Sequence, residues 1–196
     1  LKELIIANKL KKGLYFSGLS YDNYKDSKQF YNLSAKNEFE FILLNMICTG
    51  RACISKEGIK EFLFDEKLSV GEDIELWLRM ATKYPIYHHS KRSYIQKNHP
   101  NRSINFDTKF KHLKTVKLIF SNSEIIVRPI IKRKILSDSY FNIAKYHIKR
   151  GKNILVVKYI LYSIFINIFN NQTYHKIVLL TLILAQNNHK ILKEYR

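Results

Sequence analysis

Two periodicities divide the chain. Up to about residue 105 short apolar runs alternate with helical stripes, the order expected of a layered sheet protein; beyond Asp107 only helical spacing remains. Leu1, Leu4, Ile5 and Ile6, followed by Lys9, Lys11, Lys12 and Gly13, predict a helix that ends on basic residues and glycine. Leu14 to Ser17 predicts a short strand, and the polar, tyrosine-rich stretch from Ser20 to Lys36 an irregular loop. Glu38 to Met46 predicts a helix. Ile47 to Ile54 is strand-like, interrupted by Thr49 and Gly50, where a glycine in a strand marks a bulge or the close approach of a ligand. From Glu72 onward, Ile74, Trp77, Leu78 and Ala81 fall at i, i+3, i+4 and i+7 and define one buried helix face. Ser69 and Gly71 suit the turn and cap before that helix, and Pro85 ends it. Ile86 to His88 and Ser93 to Gln96 predict two brief strands.

In the second region Phe110, Leu113, Val116, Leu118 and Ile119 predict one helix. Ile125 to Arg150, interrupted near Pro129 and Ser137, predicts two more, the last closed by basic residues and Gly151. Ile154 to Phe169 and Lys176 to Ala185 predict a helical hairpin around Asn170, Asn171 and Gln172. Neither arm is a membrane span, because the first has only 16 residues and contains Lys158, Ser163 and Asn167, where about 20 apolar residues are needed. The fold class expected is therefore α/β over residues 1–105, followed by an all-α region over 106–196.

Composition adds a partner question. With 196 residues, 46% hydrophobic and 13% aromatic, the chain can bury a core. Cys48 and Cys53, without a C-x-x-C pattern, argue against a disulfide framework or zinc site and suit a reducing, cytoplasmic compartment. The formal charge of +18 is uneven: residues 1–105 hold 17 Lys/Arg against 12 Asp/Glu, and residues 106–196 hold 17 against 4. Such a balance goes with polyanions or anionic membrane. The lysines are scattered among Ile and Leu with no nucleic-acid-binding signature, so no nucleic acid partner is expected and the inner face of a membrane is the surface that fits. On these residues alone, a basic helical module that binds membrane or nucleic acid without catalysis stands as the alternative to an enzyme.

The candidate chemistry sits at Glu72 and Asp73. Two carboxylates in a first helical turn lie where free N–H groups and the dipole favour negative charge, by about 0.3–1 kcal/mol each when exposed. Taken alone they are ordinary helix-start decoration, expected to be ionised at neutral pH. Their surroundings say more. Phe64-Asp65-Glu66, Leu68, Gly71-Glu72-Asp73 and Leu76-Trp77-Leu78-Arg79 together resemble the region of family 2 glycosyltransferases of the GT-A fold that carries the "ED" motif. Upstream, Asn45 to Ala52 resembles the strand lining the donor-sugar pocket. Downstream, Tyr94 and His99-Pro100-Asn101-x-Ser103 resemble the family's closing segment, although its Tyr-Arg-x-His spacing is stretched here.

The resemblance implies the C-terminal half of a GT-A mixed-sheet domain. It implies inverting transfer from a nucleotide-sugar donor to a glycan or lipid-linked acceptor, of the kind used to build cell-surface polysaccharide. Asp73 would be the general base with Glu72 beside it, Thr49, Gly50 and Arg51 would meet the substrate, and His99 would contribute to a divalent metal site for Mn²⁺ or Mg²⁺. The family's metal-binding aspartate-x-aspartate motif does not occur in these residues, so the chain is expected to be a fragment, inactive alone, whose nucleotide-binding half and most metal ligands lie upstream of Leu1. His88 and His89, taken singly, are more ordinary as surface or hydrogen-bonded residues. Arg79, about 240° around the helix from Asp73, is expected to pack or form a salt bridge rather than clamp phosphate.

Overall fold

The computed structural model describes residues 5, 12–21, 34–96, 106–169 and 172–184. Most of the predicted first helix and the segment carrying His99 lie outside the described residues. The chain divides into two compact units, residues 1–103 with 121–127, and residues 104–120 with 128–196.

Among the described residues the first unit has a small mixed sheet and, between its strands, three helices. Strand β1, Leu14–Tyr21, is central, flanked by β2, Ala52–Ile54, antiparallel to it, and by β3, Ile86–Gln96, parallel to it. Between the strands come α1, Glu38–Asn45, a 3₁₀ turn at Thr49–Arg51, α2, Lys56–Glu61, and α3, Glu72–Ala81. Leu14, Tyr15 and Phe16 are all buried, so β1 is covered on both faces as an interior strand must be. Tyr15 stacks on its register partner Tyr87, with ring centroids 4.9 Å apart, while Phe16 meets Trp77 edge-on at 6.1 Å.

Local chemistry accounts for the helix starts. Asn37 caps α1 by accepting from the Glu40 N–H at 2.9 Å, and Glu40 reaches back to accept from the Lys36 N–H at 2.9 Å. The cap's amide also donates to the Ile126 carbonyl at 2.8 Å, tying residues 121–127, with Ile125 and Val127 buried, to this unit. Helix α3 begins at Gly71, whose φ of 76° is open to glycine and strained for other residues. Ser69 is not the cap.

In this unit the structure departs from the expected pattern at several points. The expected strand over 47–54 is a 3₁₀ turn followed by only three strand residues, because the Thr-Gly-Arg step curls back. The two strands expected after Pro85 are one, β3, whose ladder with β1 slips between Phe16 and Leu19; the extra residues sit in the polar run His88–Ser93, which has no alternation to mark a strand. On α3 the buried set includes Leu76, Met80 and Glu75 besides Ile74, Trp77 and Leu78, so the helix is covered well beyond a single stripe.

The regular structure of the second unit is helical throughout its described residues: α4, Phe106–Ser121, α5, Pro129–Ile148, α6, Asn153–Ile166, and α7, Thr173–Leu184. Pro129 opens α5 at its first turn, where the missing N–H costs nothing, and the helix runs on unbroken through Ser137. One helix therefore replaces the two expected. It ends at Ile148, and the turn that follows carries Gly151, with φ of 67°, and the Lys152 N–H bonded back to the His147 carbonyl at 3.2 Å. Phe141, Ala144, Ile148, Val156, Ile160, Leu179 and Ile183 form the core of α5, α6 and α7. Within it Ser137 Oγ donates to the Ser163 carbonyl at 2.7 Å, Ser163 Oγ to the Ser137 carbonyl at 2.6 Å, and Lys176 Nζ to Ser137 Oγ at 2.8 Å. Lys176 is fully buried, its ammonium also 5.3 Å from the Phe141 ring centre. No helix among the described residues is long and apolar enough to cross a membrane.

Candidate functional site

Helix α3 and the turn before β2 are stitched together by two side chains one helical turn apart. Trp77, 1% exposed, donates its indole N–H to the Ile47 carbonyl at 3.0 Å. Four residues earlier, on the same side of the helix, Asp73 Oδ2 accepts the Thr49 N–H at 3.3 Å. Its other oxygen, Oδ1, accepts the Ile74 N–H at 2.8 Å, so the carboxylate satisfies a first-turn amide that glycine at the cap leaves without a side-chain partner. The result brings the exposed Thr49, next to the equally exposed Gly50, against the half-buried Asp73, with Glu72 beside it in the same turn.

Asp73 differs from the exposed helix-start carboxylate expected. Burial pushes its pKa above the ordinary aspartate value, and the neighbouring Glu72 charge adds to the rise, while the Ile74 and Thr49 amides oppose it. Cys48, one residue before the turn, is partly buried, and burial likewise raises its thiol, with Asp73 adding to the rise and Arg51 working against it. Nothing in the spacing of Cys48 pointed to this place.

Arg51 stands apart from its two neighbours in the turn. It is buried, donating from Nε to the Ser17 carbonyl at 3.0 Å and from Nη1 to the Asn45 carbonyl at 3.1 Å, so its guanidinium joins β1 to the end of α1. Arg79 pairs with Glu75 in a fork, 2.6 and 2.9 Å, and donates to the Leu63 carbonyl at 2.7 Å, holding the loop that precedes α3. The salt-bridge reading of Arg79 is what the structure has.

A cleft of about 300 Å³ opens elsewhere in this unit, lined by Lys36, Asn37, Phe41, Ile86 and His88 among others. His88 stacks on Phe41 there at 4.4 Å. Glu72, Asp73, Thr49, Gly50 and Arg51 are not among its described lining residues. Among the described residues no group of three or more His, Cys, Asp or Glu side chains is assembled that could hold a metal ion. His99, the one ligand expected in this chain, lies outside the described residues. Set against family models, curated proteins and solved structures, the chain matches none.

Proposed function

We propose that the first unit is the acceptor-side part of a family 2 glycosyltransferase domain of the GT-A fold, working in the cytoplasm with Asp73 as its general base. One observation carries the reading: the Thr49–Asp73 hydrogen bond joins two motif pieces 24 positions apart at a single accessible edge. A central strand with one parallel and one antiparallel neighbour agrees with the mixed sheet that such a domain requires.

The chemistry is a direct displacement. An acceptor hydroxyl loses its proton to the Asp73 carboxylate as its oxygen bonds to the anomeric carbon. The bond from that carbon to the diphosphate oxygen breaks on the opposite face, its electron pair leaves with the nucleotide, and the configuration inverts. The upward pKa of Asp73 makes it a better base than a carboxylate in water, and the Thr49 amide fixes its direction. Thr49 and Gly50 present backbone at the same edge, suited to a donor sugar lying against it, whereas Arg51 acts by holding the turn in place. A divalent ion that neutralises the diphosphate would draw its ligands from outside the described residues, and none of these steps runs through it.

The test uses a protein extended upstream by a nucleotide-binding half. There Asp73→Asn lowers kcat by about 10²–10⁴-fold while donor binding stays near the parent's, and Glu72→Gln has a milder effect. A kcat like the parent's in the asparagine variant removes Asp73 from the reaction. Micromolar binding of UDP- or GDP-sugars with Mn²⁺ to residues 1–196 alone would contradict the assignment of the nucleotide pocket to another segment.

A further inference from the structure

The α6–α7 hairpin leaves apolar side chains in water on both of its helices. On α6, Ile154, Lys158, Leu161 and Phe165 fall within about 60° of one another at 100° per residue, opposite the packed residues Val156, Ile160 and Ser163. Ile154 and Phe165 are 86% and 83% exposed. On α7, Tyr174, Ile177 and Leu184 form the matching exposed stripe, opposite Lys176, Leu179 and Ile183. The turn between the helices adds Ile168 and Phe169, the latter 96% exposed. Scattered single apolar residues on a surface need no explanation, but a stripe on each of two successive helices, with Ile168 and Phe169 exposed just beyond the first, marks an interaction face.

The charge of the same region decides between partners. A second copy seated on this face would bring together two regions that each hold 17 Lys/Arg against 4 Asp/Glu, and like charge opposes that. Nucleic acid would use the charge but leave the aliphatic stripe without a role. An anionic bilayer takes both, because Phe, Ile and Leu reach the acyl boundary while tyrosines and lysines rest at the headgroups. Lys149, Arg150 and Lys152, all exposed, directly precede Ile154, and Lys158 lies on the α6 stripe itself, within 5.9 Å of the Tyr159 and Tyr162 ring centres.

We infer that the α6–α7 hairpin lies in the plane of an anionic lipid surface, with Phe165, Phe169 and Ile154 inserted and the basic residues before and along α6 against lipid phosphates. This does not depend on the sugar-transfer reading. Flotation of the whole chain with phosphatidylcholine vesicles, with and without about 30% phosphatidylglycerol, tests it. The chain should float with the anionic vesicles alone and be released between about 50 and 500 mM salt. The double variant F165S/F169S changes two exposed side chains, so its helical circular dichroism should match the parent's while its partitioning falls about tenfold or more. Equal recovery with neutral vesicles, recovery with neither, or a double variant that floats like the parent overturns the inference. So does a parent that binds double-stranded DNA and leaves the vesicles.

Discussion

Trp77 is the chain's single tryptophan, and its environment allows the cost of replacing it to be worked out in parts. The ring is buried against Phe16, and its N–H satisfies the Ile47 carbonyl at 3.0 Å. Trp77→Ala removes the whole indole, and large aromatic to alanine changes in a core cost about 3–5 kcal/mol. Trp77→Phe keeps most of the apolar contact but strands the Ile47 carbonyl, a loss of about 1–3 kcal/mol. The alanine variant should therefore lose clearly more than the phenylalanine one, and both should lose more than a surface change. Urea unfolding followed by far-ultraviolet circular dichroism is the assay, since either change removes the fluorophore. With two compact units, the sheet unit's transition should shift and the helical unit's should stay. Because Asp73 anchors Thr49 one turn away, Asp73→Asn combined with Trp77→Phe should be non-additive by about 0.5 kcal/mol or more. A Trp77→Ala protein within about 0.5 kcal/mol of the parent would refute the reasoning, placing the ring at the surface.

Two further outcomes follow from packing. Burial pushes the Lys176 pKa below the usual lysine value, with Lys134 and Lys145 adding to the fall and Asp138 opposing it; the folded state thus binds this proton less well than the unfolded chain, and stability should rise with pH from the lowered folded pKa up to about 10.4. Lys176→Met should raise stability by about 1–3 kcal/mol at pH 7 and by less near pH 10; a gain that urea titrations find equal at both values counts against a buried amine. Gly13→Ala would set a Cβ 2.8 Å from the Pro85 carbonyl oxygen and 2.7 Å from the Tyr87 ring, just where the Leu14 N–H bonds to Pro85, at a cost of about 1–3 kcal/mol. An unchanged melting temperature would mean the strand start shifts freely.

Local patterns carried much of the architecture. The helix at Glu72, the helix at Glu38 and the glycine at 151 all rest on periodicity or cap chemistry confined to a few neighbours. What was not legible rests on partners far away in the chain. Ser137 looks like a helix break until Ser163, 26 positions on, answers its hydroxyl and carbonyl. The Thr-Gly-Arg step looks like strand because nothing nearby announces that Arg51 will turn inward to Ser17 and Asn45. At the candidate site, the motif order pointed to Thr49 and Asp73 separately, and only the fold sets them in contact. The upward pKa of Asp73 was equally hidden, since a helix start by itself favours the opposite direction and burial is a tertiary property.

The topology of β1 also sets a timetable for synthesis. Its antiparallel neighbour pairs Leu14 with Ile54, but its parallel neighbour pairs Leu14 with Ile86, beyond α1, α2 and α3. At roughly 5–20 residues per second, a ribosome needs about 4–14 s to reach Ile86 after Leu14 has been made. For that interval Leu14 and Phe16 have one strand edge closed at most and no Trp77 to cover them until late. A nascent chain in this state presents an apolar strand edge to whatever waits at the exit tunnel, and slowing elongation between the codons of Ile54 and Ile86 should lengthen its dependence on chaperones.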